Sequence, residues 1–542
     1  MYDILKSRML MKKWVNGLWL AALVICGATL MTACSDSDNN SKKSDSNDDS
    51  ITYRRSLIVY MAAQNSLGDA GAARLDSAEI VAGVARTTST RDNVFLFIDD
   101  GKKPRLYRYY RNGNAGNLRT YEQKVLTWPN DANSADPATL RDVLRYVNIH
   151  YPSSSYGMVM WSHGNGWIPS TNIHNTLFKS TAFSRENTVF SRENTVFSRN
   201  DATSLGDNTD ISRTDATSSH NNTGRSHNNA GFSHNNTGFS HNNTDLSHNN
   251  SNLSHTNAAS SRTYSEVYPS AFGVDVGEGG DMENDTDTLG RMGTQMDIPD
   301  MAEAILQSGI HLDYILFDAC LMQCVEVAYA LRDVTDYVVG NASSTSAYGG
   351  YYANLLPQAL MVYPANDYNI SLIASQYYYD AVSNASLSQY YERCGAAISV
   401  IKTSELENLA SITGTFLSRY ITNRNEPDMQ DAQAYSDTDF FNTPNFYDMG
   451  SAMYLILSQD DYQSWLRQAE KCIIYHHVSD TYVLGTYYGQ QLYDHLTDPD
   501  HVLGVSMFVP RRIFDRRPYS PYNTYFQQTE WYSAASWNLT GW

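Results

Sequence analysis

Cysteine is scarce in this chain, with six residues in 542. Cys26 and Cys34 fall in an N-terminal export segment, which leaves Cys320, Cys324, Cys394 and Cys472 for the remainder. So few cysteines in so long a chain exclude a disulfide framework. Positive charge is also short: 39 Lys and Arg stand against 58 Asp and Glu, for a net charge of −19. With no basic stripe, nucleic acid is excluded as a partner. The apolar run "LWLAALVICGATLM", Leu18 to Met31, is too short for a comfortable membrane span. What the chain does hold is tyrosine, 39 residues of it, which favours strand-rich polypeptide over a helical bundle. Its length is more than one core usually serves, so large insertions or several domains are expected.

Lys12 and Lys13 precede the apolar run, which closes as "MTAC" (Met31 to Cys34) ahead of "SDSDNNSKKSDSNDDS". This resembles a bacterial lipoprotein signal, with plain secretion as the alternative. The resemblance implies a signal peptide over 1–33, lipidation at Cys34, a polar tether over 34–52 and attachment to a membrane through an acyl anchor. The expected location is the cell envelope, at the outer membrane or cell surface, or else secreted or periplasmic.

From Tyr53 strands and helices alternate. "SLIVYM" (56–61) and "NVFLFIDDG" (93–101) read as buried strands around a helix over 69–85. "DPATLRDVLRYVNIH" (136–150) reads as a helix with Asp136 as N-cap and Pro137 at its first position. "YGMVMW" (156–161) is a strand running into "SHGNGW". The pattern resumes with a helix over 298–309, a strand "DYILF" (313–317), a helix over 318–333 and a strand over 337–343. Such alternation argues an α/β fold with a mainly parallel sheet. Helices over 404–421 and 460–477 and a strand over 502–510 are expected in a C-terminal mixed α+β domain, 381–542, packed on the first domain, 53–380.

Between the two halves of the alternation lies a low-complexity insertion, 171–271. From Ser184 to Ser260 it runs in sevens, "SRENTVF SRENTVF" giving way to "SHNNTGF SHNNTDL", eleven units in all. One position per unit at most is apolar, so no coiled-coil seam forms. The composition predicts a disordered surface loop. Its histidines at period seven offer weak metal binding, against the plainer reading of a solvated loop.

Two strands end in chemistry. "GMVMW" runs out into Ser162-His163-Gly164, and "DYILF" into Asp318-Ala319-Cys320. Ligands of open parallel sheets bind beyond the carboxyl ends of the strands. If the two strands are neighbours, His163 and Cys320 emerge on one rim. A thiolate is a nucleophile whose pKa falls beside His and at helix N-termini, and the expected helix start at Cys320 favours ionisation. An imidazole relays the proton to a leaving amine, and Gly164 and Gly166 let backbone approach a substrate closely. Taken singly, His163 reads equally as a satisfied loop residue and Cys320 as a small buried one. Cys324, one turn on, reads as core. The 157 residues between the pair fall to 80 without the 77 of the repeat, towards the roughly 50 between His and Cys in caspase-like enzymes.

At this point the chain resembles the clostripain-like cysteine peptidases, which have a caspase-like fold. "SLIVYMAAQNSL" (56–67) resembles the family's first strand and turn, "DPATLRDVLRYV" with "YGMVMWSHGNGW" its His block, "ILFDACLMQCVEVAYAL" (315–331) its Cys block, and "GVSMFVP" (504–510) its C-terminal region. The resemblance implies a caspase-like three-layer α/β/α architecture and a cysteine endopeptidase acting on protein or peptide substrates. Cys320 would be the nucleophile and His163 the general acid/base. The backbone N–H groups of Gly164 and Cys320 would form the oxyanion hole. It also implies cleavage after Arg or Lys, with Asp318 matching a substrate-binding acid. "NASSTSAYGGYY" (341–352) departs from the family, placing Ser343 and Ser344 where further acids are usual. The chemistry needs no cofactor. Family members are often calcium-dependent and self-cleaving; here "DVGEGGDMENDTD" (275–287) is acidic but lacks EF-hand spacing, and Arg185, Arg192 and Arg199 offer exposed cleavage points. The alternatives are a catalytically inactive surface binding or adhesion lipoprotein on the same scaffold, and a redox or metal protein built on Cys320, Cys324 and the His repeats. The second lacks a redox motif and a full ligand set.

Overall fold

The computed structural model describes residues 52–542 except 115, 130–131, 170–271, 276–293, 346–348, 384–394, 437–443, 488–489 and 516–521. The signal segment, Cys34, Cys394 and the heptad repeat lie outside the described residues.

Fifteen strands and eight longer helices carry the description. The strands are β1 (Arg55–Ala62), β2 (Asp92–Asp99), β3 (Arg105–Asn112), β4 (Arg119–Thr127), β5 (Tyr156–Trp161), β6 (Phe272–Asp275), β7 (Thr294–Met296), β8 (Tyr314–Asp318), β9 (Tyr337–Asn341), β10 (Ala397–Lys402), β11 (Tyr447–Asp448), β12 (Ile473–Val478), β13 (Thr481–Tyr487), β14 (Gln490–His495) and β15 (Ser506–Met507). The helices are α1 (Ala72–Ala85), α2 (Pro137–His150), α3 (Ile298–Ser308), α4 (Val325–Ala330), α5 (Asp367–Ser383), α6 (Leu406–Tyr420), α7 (Met449–Ile456) and α8 (Gln459–Cys472).

A nine-stranded sheet runs β12-β10-β9-β8-β5-β1-β2-β3-β4. Its five central strands are parallel, and antiparallel pairs close both edges. The central strands read as unbroken apolar runs because both faces are covered. Along β1, Leu57, Val59 and Met61 enter one core, and Ile58, Tyr60 and Ala62 the other. The first core is roofed by Ile80 and Val84 of α1 and Ile370 and Ile373 of α5. The second is roofed by Leu140 and Val143 of α2, Met301 and Ile305 of α3, Leu409 of α6, Met453 of α7 and Trp465 of α8. This is the three-layer α/β/α architecture expected from the sequence. Asp136 caps α2, accepting from the Ala138 N–H, and Gly309 ends α3 at φ 76°.

Four local expectations change. The helix expected over 318–333 is confined to Val325–Ala330. The N–H groups of Leu321 and Gln323 are committed to the Ser343 and Asn341 carbonyls at the end of β9, so a helix cannot begin there. The helix over 460–477 stops at Cys472, and the Ile-rich segment that follows pairs with β10 at the sheet edge. Of 502–510 only Ser506 and Met507 form a strand, because the N–H groups of Leu503 and Gly504 are taken by the Asp448 carboxylate. Finally, β10 and β12, from the stretch read as a C-terminal domain, extend the same sheet. Among the described residues no helix is long and apolar enough to cross a membrane.

Candidate active site

The strand order reverses between β1 and β5. From β1 the chain proceeds outward through β2; after β4 it returns to the other side of β1 and proceeds through β5, β8 and β9. A crevice opens beyond the carboxyl ends of strands at such a reversal. Three turns meet there, those that follow β1, β5 and β8. The register aligns Trp161 with Met61 and with Asp318. His163 and Cys320 therefore each lie two residues beyond the same paired position, on the same rim.

The turns carrying them interlock. A β-carbon on Gly164 would stand 2.6 Å from the Cys320 carbonyl oxygen and 2.8 Å from the Met322 side chain. Gly166, at φ 64°, is equally constrained: a β-carbon there would be 2.9 Å from the Leu321 carbonyl oxygen and 2.5 Å from the Phe446 ring. Leu321 itself adopts φ 61°, a conformation costly for a branched side chain and held here by its neighbours. Because α4 begins only at Val325, with Cys324 as its N-cap, Cys320 does not sit at the helix start expected to act on its thiol.

His163 is half-buried, and burial lowers its pKa below the ordinary imidazole value. Its Nε2 lies 2.9 Å from Ser66 Oγ, on the turn after β1. Asn65 ties that turn in place: its Nδ2 donates to the Ala62 and Val274 carbonyls, and its Oδ1 caps the Leu67 N–H. The His163 carbonyl accepts from the Gly273 N–H on β6 at 3.0 Å. Ser66 was not singled out from sequence; the signal available was the "AAQNSL" turn at the end of an apolar strand, whose asparagine and leucine belong to the resemblance.

Cys320 is partly exposed, whereas Cys324 and Cys472 are sealed in the core. Burial, reinforced by the charge of Glu326, pushes the Cys324 thiol well above its usual range. Cys324 is thus the core residue expected. The Thr345 N–H donates to Cys320 Sγ at 3.2 Å, a contact that favours the thiolate. Thr345 is a second residue that sequence did not reveal.

Asp318, the last residue of β8, turns its carboxyl away from the rim into the α1/α5 core. Tyr377 donates to Oδ1 at 2.5 Å, Tyr352 to Oδ2 at 2.6 Å, and the Gly350 N–H to Oδ2 at 3.4 Å. Burial raises its pKa, against the lowering effect of these donors. Gly349 sits on the carboxyl, where any β-carbon would be 2.2 Å from both oxygens. Ser343 and Ser344 are engaged elsewhere, bonding to Asn341 and to the Leu484 carbonyl.

Among the described residues no three His, Cys, Asp or Glu side chains are grouped to hold a metal ion. Of the acidic segment 275–287 only Asp275 is described, and its Oδ2 accepts from the backbone N–H and the hydroxyl of Ser134.

The sequence profile of the clostripain family matches residues 59–193 and 287–542. Solved structures similar to the chain include two proteases. A secreted C11 cysteine protease from Bacteroides thetaiotaomicron, in complex with an irreversible peptide inhibitor, is 23% identical, with a TM-score of 0.59 over 90% of this chain and 99% of its own. An inactive zymogen C11 protease from Parabacteroides distasonis is 21% identical, with a TM-score of 0.57 over 89% and 99%. No curated protein matches the sequence.

Proposed function

Because the chain belongs to the clostripain family and is a cysteine-type peptidase, we propose that it hydrolyses peptide bonds with Cys320 as nucleophile and His163 as general acid and base. The observation that carries the assignment is the interlock of their turns, with Gly164 seated on the Cys320 carbonyl. It is supported by Cys320 being the one cysteine among the described residues that is not fully buried.

In this reading His163 takes the thiol proton and the Cys320 sulfur attacks the scissile carbonyl carbon. The N–H groups of Gly164 and Cys320 receive the oxyanion. Collapse of the tetrahedral species breaks the C–N bond, and His163 passes its proton to the departing amine. Water, deprotonated by His163, then attacks the thioester, releasing the acid and restoring the thiol. No metal takes part in these steps.

Asp318 is proposed as the contact for an arginine or lysine side chain before the scissile bond. Asp318 stands two residues before the nucleophile at the end of β8, and a guanidinium suits a carboxylate. Residues 1–34 support an exported protein held at the cell envelope through lipid on Cys34, and the similar protease described as secreted agrees with export.

Titration with iodoacetamide followed by assay on Arg- and Lys-ended fluorogenic peptides tests the proposal. One equivalent should abolish cleavage, and Cys320→Ala should be inactive. Cleavage that survives in Cys320→Ala would remove the assignment.

A further inference from the structure

We propose that Asp76 is a second carboxylate of the pocket that receives the basic side chain of the substrate, acting beside Asp318 in place of the acids missing from the turn 341–344. The inference rests on the reading of Asp318 given above.

Four acids gather on the α1/α5 face of the sheet. Asp76, Asp318 and Asp380 are buried and Glu79 is half-buried. Tyr352 links two of them, its hydroxyl donating to Asp318 and its backbone N–H to Glu79 at 3.1 Å. Among the described residues no lysine or arginine forms an ion pair with any of the four. Burying carboxyl groups without a counter-cation is costly. A core needing only to be filled would hold apolar side chains there.

Asp76 is the member best placed for a guest. Its Oδ2 accepts from Trp161 Nε1 at 2.7 Å. Trp161 is the register partner of Asp318, so Asp76 stands beneath the same rim. Its Oδ1 is fully buried with no hydrogen-bond partner. The neighbouring charges that act on it most are those of Asp318 and then Glu79. The cluster is not arranged as a metal site. A planar guanidinium carries five N–H donors and spans two carboxylates. Of the three donors on Asp318, the Gly350 N–H at 3.4 Å is the weakest, and it is the one a substrate N–H replaces. Burial raises the pKa of Asp76 and of Asp318, and a cation in contact with them favours their charged form.

The experiment compares wild type, Asp76→Asn and Asp318→Asn on paired fluorogenic peptides ending in arginine or in its neutral isostere citrulline. Alkylation of Cys320 by iodoacetamide and the thermal midpoint are followed in parallel. Asp76→Asn should lower kcat/KM for the arginine peptide about 10- to 100-fold, mostly through KM, the size expected for one lost charged hydrogen bond. The arginine-to-citrulline ratio should fall in step, alkylation should stay within about two-fold, and the midpoint should not drop, since a buried unpaired carboxyl has been removed. If Asp76→Asn keeps the ratio while Asp318→Asn collapses it, the inference is wrong and the reading of Asp318 stands. If neither variant changes the ratio, both fall. Slowed alkylation with loss on both peptides would mark Asp76 as structural and also overturn the inference.

Discussion

Gly164 packs directly on the main chain of Cys320: a β-carbon at position 164 would stand 2.6 Å from the Cys320 carbonyl oxygen. Two turns whose contacting residues are 156 apart in sequence thus meet with no room for a methyl group between them. The fit fixes the height of the imidazole relative to the thiol, since His163 and Cys320 are each adjacent to or part of the contact.

Gly164→Ala should therefore separate the turns rather than merely crowd them. The neighbouring atom is backbone, which yields only by moving the chain. Overpacking of this kind costs about 1–3 kcal/mol of stability. Activity should suffer far more, since a displacement near 1 Å in a catalytic pair costs on the order of 100-fold. Steady-state kcat on an arginine peptide, beside a urea melt, checks this. Loss of kcat by less than about 3-fold would show that the turns do not set the dyad.

Much of this site was legible in sequence, and the reason is periodicity. Buried parallel strands are apolar throughout, so β1, β5 and β8 announced themselves, and their ends pointed to His163 and Cys320. The edge hairpin β3–β4 did not: "RLYRYYRN" and "RTYEQKVLT" face solvent on one side, and their stability comes from pairs such as Tyr110 stacked on Tyr121 across the strands. The start of α4 was misplaced because composition after Asp318 is helical, while the backbone N–H groups there are claimed by the end of β9. Ser66 and Thr345 were invisible for a related reason. Their roles arise only when separate turns converge.

Ser66 should matter through the imidazole alone. Its hydroxyl is 2.9 Å from His163 Nε2, and a neutral hydrogen bond contributes about 0.5–1.5 kcal/mol. Ser66→Ala should lower kcat roughly 2- to 10-fold with KM unchanged.

The acid limb of the pH profile carries separate information. Burial favours neutral His163, holding its pKa below 6.5. The base form needed to accept the thiol proton then persists as pH falls through 6.5 and is lost only below that. The limb of kcat/KM in wild type should lie under pH 6.5. A limb centred above 6.5 would contradict the burial argument.

Arg55 offers a control at the opposite end of β1. It is completely buried, pairs with Asp313 at 2.8 Å and donates to Ser155 and to the Leu360 and Val362 carbonyls. It thereby ties β1 to Leu360, a residue of the first core. Arg55→Ala strands Asp313 and several acceptors and should cost about 3–5 kcal/mol. Because the site lies at the other end of the strand, kcat of the protein that remains folded should change by less than about two-fold, within the scatter expected for distant sites. Urea unfolding and active-site titration together separate the two effects.

The buried acids predict the pH dependence of stability. Burial, with the neighbouring carboxyl of Asp275, pushes Asp99 up to about 8; Asp76 reaches about 9 and Glu326 about 7, chiefly through burial. A carboxyl whose folded pKa is raised binds its proton more tightly in the native state than in the unfolded chain. Its contribution is full below about pH 4 and is progressively lost as pH rises to the folded value. For Asp99 that window runs from about 4 to about 8, and each unit corresponds to about 1.4 kcal/mol. The thermal midpoint should accordingly fall across this range instead of peaking at neutrality. Asp99→Asn keeps the shape and removes the ionisation, so it should flatten the slope and raise the midpoint at pH 8 relative to wild type. Thermal melts at half-unit intervals decide the matter: parallel curves for the two proteins would mean that Asp99 does not titrate in this window.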